Sequence, residues 1–150
     1  MSGPNMRFLG IDPGSRRIGV AYGDEIGVAT PLSAILADDP VKQWAALAAG
    51  LKERRITEVV VGHPLNMDGS SGPKALEAEA FARRIRSEFT LPVHLVDERL
   101  TSYEAESTIA PSKRRAVRKT GLVDSRAATI ILQDYLSERI PTEHPSAPDT

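Results

Sequence analysis

The sequence contains no cysteine, which excludes disulfides, thiolate nucleophiles, cysteine-bound zinc and iron-sulfur clusters, and fits a cytosolic setting. Aromatic residues are scarce, at 5% of the chain with a single Trp, so a platform for stacking nucleic-acid bases is not indicated. Long apolar runs are missing as well. Nothing approaches the roughly 18 consecutive apolar residues of a membrane span, and the opening MSGPNMRFLGID holds too short an apolar run for a signal peptide. These absences lead us to expect a cytoplasmic protein with no membrane partner. A Walker A pattern is also lacking, which removes the P-loop nucleotidases. The formal net charge is only -1, so any case for a nucleic-acid partner must rest on local charge.

What is present is enough for one ordinary domain. The chain has 150 residues, sufficient to bury a core without covalent or metal staples. Residues 1–140 are expected to form that domain. The Pro-rich, polar end PTEHPSAPDT is expected to leave residues 141–150 as a disordered tail. Local charge concentrates in SKRRAVRK, Ser112 to Lys119, which places Lys113, Arg114, Arg115, Arg118 and Lys119 within one short segment. No internal repeat is apparent.

Along the chain, Met6 to Ile11 is a short apolar run meeting Asp-Pro-Gly-Ser, the composition of a strand entering a turn. Asp12 therefore stands at a strand's carboxyl end. RRIGVAYGD alternates with a period of two and should return antiparallel, with a third strand over Gly27 to Ala34. Asp39 is a plausible N-cap ahead of Pro40, and apolar residues recur at helical spacing from Val41 through Trp44 and Leu47 to Leu51, with the helix ending near Arg54. EVVVG, Glu58 to Gly62, reads as a strand buried on both faces. After the polar loop HPLNMDGSSG, Pro73 to Phe89 reads as a helix with Leu76, Ala80, Phe81 and Ile85 inward. Pro92 to Val96 reads as another buried strand, ending at Asp97 and Glu98. Thr101 and Glu104 have capping-box spacing for a helix to about Ala110, and Asp124 precedes a last helix carrying Ala127, Ala128, Ile131, Leu132, Tyr135 and Leu136. Trp44 is expected in the core. His94 and His144 show no evident partner.

Three strands joined as hairpins, followed by a βαβα alternation, give an α/β fold. Its five-stranded mixed sheet has the first strand central and parallel to the last two, with helices flanking it. Ligands bind such sheets beyond the carboxyl ends of the parallel strands. Asp12, the His63 to Gly72 loop and Asp97-Glu98 all fall at that edge, and Asp124 begins a helix that could lie across it. Gathered carboxylates repel one another and are tolerated mainly around a hard divalent cation. Oxygen ligands alone favour Mg²⁺ or Mn²⁺ over zinc or copper. Two such ions about 4 Å apart would serve phosphodiester hydrolysis. Taken singly, each acid has a plainer reading: Asp12 as a turn residue, Asp124 as a helix N-cap, and one of Asp97 and Glu98 as a partner for Arg99.

Four stretches, GIDPGSRRIGVAYGD, VVVGHPLNMDGSSG, VHLVDERLTSYEAE and DSRAATIILQDYL, resemble the YqgF family of bacterial proteins, and the resemblance runs from Leu9 to Leu136. It implies a ribonuclease H-like fold with motif acids at Asp12, Glu98 and Asp124, which would be the catalytic and metal-binding residues. It thereby favours Glu98 over Asp97. Members are regarded as nucleases maturing the precursor of small-subunit ribosomal RNA, or as Holliday junction resolvases. The chain departs from the family pattern at Arg16, commonly Lys, at Arg126, more often apolar, and at His63, where an apolar residue is usual.

The expectation is thus a Mg²⁺- or Mn²⁺-dependent endonuclease with a two-metal site. The resemblance favours processing of the 5′ end of pre-16S rRNA, with the ribosome or a pre-ribosomal particle as a partner. The alternatives are a Holliday junction resolvase acting on structured DNA, and a non-catalytic module that binds RNA or the ribosome. A resolvase would call for a two-fold dimer, but no dimer surface is evident, and a monomer or weak homodimer is expected. An actin-like kinase shares the Asp-x-Gly turn, but needs two lobes where this length supplies one. The basic residues from Lys113 to Lys119 lie between two candidate ligands and should grip phosphates rather than bases. Arg16 and Arg17 in the first turn, Asn66 in the edge loop and Arg126 beside Asp124 complete the nucleic-acid-binding candidates.

Overall fold

The computed structural model describes residues 6–13, 17–36, 39–98 and 125–139. They form one five-stranded sheet and three helices: β1 Arg7–Asp12, β2 Arg17–Asp24, β3 Thr30–Leu36, α1 Pro40–Glu53, β4 Glu58–His63, α2 Pro73–Phe89, β5 Val93–Asp97 and α3 Arg126–Arg139. The strand order is β3-β2-β1-β4-β5. β1 is central, antiparallel to β2 and parallel to β4, and β4 is parallel to β5. This is the expected mixed sheet. The predicted helix at 101–110 and the predicted tail lie outside the described residues.

Alternation along β1 and β4 sorts the core into two layers, because successive side chains of a strand point to opposite faces. Leu9, Ile11, Val59 and Val61 face α1 and α2, packing with Leu47, Leu51, Ala78, Ala82 and Ile85. Phe8 and Val60 face α3, packing with Ala128, Ile131, Leu132 and Leu136. α3 approaches closely because β1 offers it bare backbone. A Cβ on Gly10 would lie 2.6 Å from Leu132 Cβ and 3.0 Å from the Ala128 carbonyl oxygen, contacts no ordinary side chain could keep.

Helix boundaries follow local chemistry. Asp39 accepts a hydrogen bond from the Val41 amide at 2.9 Å with Pro40 at the first position, as expected. α2 begins on Gly72 without a side-chain cap and ends on Thr90 in the left-handed conformation.

Four details differ from the sequence-based expectation. β3 begins at Thr30 rather than Gly27. Gly27 has a φ of 93° and closes a turn onto Asp24, and Gln133 of α3 bonds both the Gly27 carbonyl and the Ala29 amide. The inward face of α2 is Ala75, Ala78, Ala82 and Ile85, whereas Leu76 and Ala80 are exposed and Phe81 is half-buried. Small residues let that helix seat close to the sheet, and the bulky ones are left to its flanks. Finally, β5 is an edge strand with only Val93 fully buried. Trp44 is likewise at the rim of the core, edge-on to Phe81, stacked on Phe89, and donating through Nε1 to Glu88 at 3.0 Å. No helix among the described residues is long and apolar enough to cross a membrane.

Candidate active site

The parallel strands β1, β4 and β5 end at one edge of the sheet. Asp12 closes β1, His63 closes β4, and the register pairs His63 with Asp97 at the end of β5, so Glu98 follows immediately on that edge. Because the pairing of β1 with β4 aligns Ile11 with Val61, Gly62 is the neighbour of Asp12. Its missing side chain has a definite use. A Cβ there would sit 2.5 Å from Glu98 Oε2 and 2.6 Å from Ile131 Cδ1. The Glu98 carboxylate therefore lies directly over the bare β4 backbone, on the face that Ile131 of α3 covers.

Asp12 and Glu98 line a cleft of about 540 Å³ together with Pro13, Pro64, Lys74, Glu77 and Phe81. A somewhat larger groove of about 600 Å³ runs between β3 and α1, lined by Leu32, Ile35, Leu47 and Gly50 with Glu53 and Arg54 at its margin. It brings no carboxylates together, so the chemistry points to the smaller cleft. Burial raises the Asp12 carboxyl above its ordinary range, against the pull of the Lys74 ammonium. Burial also raises Glu98, and the negative charge of Asp12 adds to it, so that Glu98 is pushed to about 7 despite the opposing influence of His63. Two half-buried acids thus share the cleft, with Asp12 adding to the cost of ionising Glu98, an arrangement that a bound cation would relieve.

Asp97 lies elsewhere, in a groove along β5 with His94, Asp134, Tyr135 and Glu138. Of the two adjacent acids, Glu98 is the one that shares the cleft with Asp12. The described residues therefore bring together two of the three expected acids, and among them no group of three or more metal-binding side chains occurs. Asp124 lies outside the described residues. Its neighbour Ser125 is fully buried, accepts from the Val20 amide at 3.1 Å and donates to the Leu32 carbonyl. Val20 follows Gly19, the residue opposite Asp12 in the register. The two oxygen-donor acids, crowded and half-buried, fit a hard divalent cation.

The other candidates separate. Arg17 is exposed at the start of β2 and does not line the cleft. Asn66 is engaged within its own loop, donating through Nδ2 to Ser70 Oγ at 2.9 Å. Arg126 starts α3 half-buried, with its Nε and one terminal nitrogen out of solvent. Arg16, Lys113, Arg114, Arg115, Arg118 and Lys119 lie outside the described residues. Gly62, Lys74 and the pairing of His63 with Glu79 at 2.7 Å were not singled out in advance. Lys74 had a usable signal, being a cation in the first turn of a helix that enters from the edge loop. His94, for which the sequence showed no partner, bonds Glu58 at 2.9 Å and stacks on Tyr135 with ring centres 5.1 Å apart.

Comparison with known proteins identifies the family and the fold. Residues 6–138 match the family described as "RuvX: Holliday junction resolvase". A protein of Opitutus terrae named "Putative pre-16S rRNA nuclease" is 63% identical over 141 residues, covering 93% of this chain and 97% of that protein. One of the same name from Synechococcus elongatus is 42% identical, covering 91% of this chain and 92% of its own length. Among solved structures, Thermus thermophilus RuvC superposes with a TM-score of 0.54 at 18% identity, over 91% of this chain and 98% of that one. The Fowlpox virus resolvase bound to Holliday junction DNA gives 0.56 at 12%, over 90% and 99%. At such low identity these two likenesses establish the fold, which is ribonuclease H-like.

Proposed function

The chain belongs to the RuvX family, and from that premise we propose that it is a cytoplasmic, Mg²⁺- or Mn²⁺-dependent endonuclease that hydrolyses phosphodiester bonds in RNA, processing the 5′ end of pre-16S rRNA. The carrying observation is the placement of the Glu98 carboxylate over Gly62, in one cleft with Asp12, both acids raised by burial. Asp12, Glu98 and Asp124 would hold the metal. Asp124 is one peptide bond from Ser125, whose hydroxyl is pinned to β2 and β3 near the position facing Asp12. When bound, the ions supply Lewis acidity to an attacking water and to the leaving oxygen.

The chain's own residues do the rest. Asp12 at the end of β1 and Glu98 just after β5 come from the strands on either side of β4 and line the same cleft. Lys74, close enough to bear electrostatically on Asp12, offers a cation to a substrate phosphate on the same wall. Phe81 and Pro64 give that wall an apolar lining. The choice of ribosomal RNA rests on the names of the relatives, and a pre-ribosomal particle is the corresponding partner. A monomer or weak homodimer suffices for it.

Holliday junction cleavage is the second reading, favoured by the description of the family. The deciding experiment is a cleavage assay with Mg²⁺ or Mn²⁺ on labelled RNA precursor, single strands and a four-way DNA junction, with Asp12→Asn in parallel. Metal-dependent cutting of the RNA precursor, lost in the variant, is the expected result. Cutting of the junction alone would replace the RNA assignment. Absence of cutting by the folded protein would favour a non-catalytic binding module.

A further inference from the structure

The loop between β4 and α2 reaches the cleft through Pro64 at its start, and α2 follows it with Lys74. Met67 near the loop's tip is 89% exposed, and the other residues from Asn66 to Gly72 are polar or glycine, so the conformational entropy of that stretch must be offset by hydrogen bonds. Inside the loop, the Asn66 amide donates to the Ser70 carbonyl at 2.9 Å, the Gly69 amide to the Asn66 carbonyl at 2.8 Å, and the Ser70 amide and hydroxyl to Asp68 Oδ1 at 2.9 and 2.6 Å. Gly69 has a φ of 89°, which suits glycine.

Those bonds close the loop on itself but do not tie it to the rest of the fold. Glu79, two turns into α2, ties both ends of the loop to that helix. His63 Nε2, at the loop's start, lies 2.7 Å from Glu79 Oε2, and Ser71 Oγ, at its end, donates to the same oxygen at 2.8 Å. The side chains of His63 and Glu79 are only 16% and 25% exposed. The two bonds hold the Glu79 carboxyl below its ordinary range. A cleft residue stands close to each anchor: Pro64 directly after His63, and Lys74, in the first turn of α2, three residues after Ser71.

We propose that Glu79 is a positioning residue: by gathering His63 and Ser71 onto one carboxylate oxygen it holds the loop, with Pro64 and Lys74 at its ends, as a fixed wall that seats the phosphodiester backbone of a nucleic acid beside Asp12 and Glu98. This rests on the nuclease reading for its substrate class, but not for the loop's ordering.

The test uses the full chain with Glu79→Ala, Glu79→Gln and Ser71→Ala. Amide hydrogen exchange reports on the loop. Binding of a labelled RNA hairpin and a labelled DNA junction in EDTA, together with cleavage kinetics in Mg²⁺, reports on the wall. Glu79→Ala removes both bonds and is expected to speed exchange at Asn66 and Gly69, weaken binding about tenfold, and raise KM rather than lower kcat. Ser71→Ala should move the same readouts less. Glu79→Gln keeps an acceptor oxygen and should restore both. Unchanged exchange or unchanged binding in Glu79→Ala would overturn the proposal. So would a fall in kcat at constant KM, or a Glu79→Gln protein as impaired as the alanine variant. If the wild type binds but cuts neither probe, the nuclease reading fails while exchange and binding still judge the wall.

Discussion

The two ends of the parallel strands are built from similar residues and treat charge in opposite ways. At the amino end, Glu58 of β4 meets His94 of β5 at 2.9 Å, and His94 stacks on Tyr135. The Thr57 hydroxyl accepts from the Arg7 amide and donates to the Arg7 carbonyl. At the carboxyl end, two acids share a half-buried cleft and Glu98 is driven to about 7. The amino end pairs its charges within the folded chain, whereas the carboxyl end leaves two acids crowded. On the proposed function, the stability forgone at that edge would give it affinity for a cation and a phosphate.

The strongest way to break this contrast is to neutralise the crowded edge. Asp12→Asn or Glu98→Gln should cut cleavage by at least about a thousandfold while leaving the protein folded and no less stable. Survival of activity would remove both acids from the proposed centre. Gly62→Ala comes next. Its Cβ would strike Glu98 Oε2 and Ile131 Cδ1, so cleavage should fall by roughly a hundredfold through displacement of the carboxylate. Its stability should drop by about 1–3 kcal/mol, measured by denaturant unfolding. A loss of stability with cleavage intact would show that Glu98 need not lie where the structure places it.

A third measurement follows melting temperature against pH in EDTA. Glu98 is higher in the folded state, about 7, than its ordinary 4.5. The folded chain therefore holds a proton that the unfolded chain has released. Stability from this group is full below pH 4.5 and declines as pH rises towards 7. Asp12, also raised by burial, acts with the same sign. Glu98→Gln should flatten the slope, and Mg²⁺ should raise the melting temperature near neutral pH in the wild type but not in Asp12→Asn. At the amino edge the effect should be smallest. Glu58→Gln is expected to cost at most about 1 kcal/mol, as for a partly exposed ion pair, with cleavage unchanged. A comparable cost at the two edges would erase the distinction between them.

Much of this was legible from residue order. Asp12 before Pro-Gly, the β-branched run at Glu58 to Gly62, and Asp39-Pro40 ahead of helical spacing are local signals, and each led to an element found where expected. The choice between Asp97 and Glu98 was not decided by local signals, since adjacent residues of a strand point to opposite sides and either could have been the one turned inward. The face of α2 was not legible because helical spacing allows both the stripe Leu76, Ala80, Phe81, Ile85 and the stripe Ala75, Ala78, Ala82, Ile85, and close approach to the sheet selects the second.

Periodicity, turn chemistry and the composition of the motif stretches are written in short stretches of chain, and they were enough to specify an α/β sheet with acids at one edge. The cleft is different in kind. Gly62 beneath Glu98, Lys74 beside Asp12, and His63 and Ser71 meeting on Glu79 are encounters between residues brought together by β-register and helix docking. Energies of burial and repulsion depend on separations that exist only once those elements have packed.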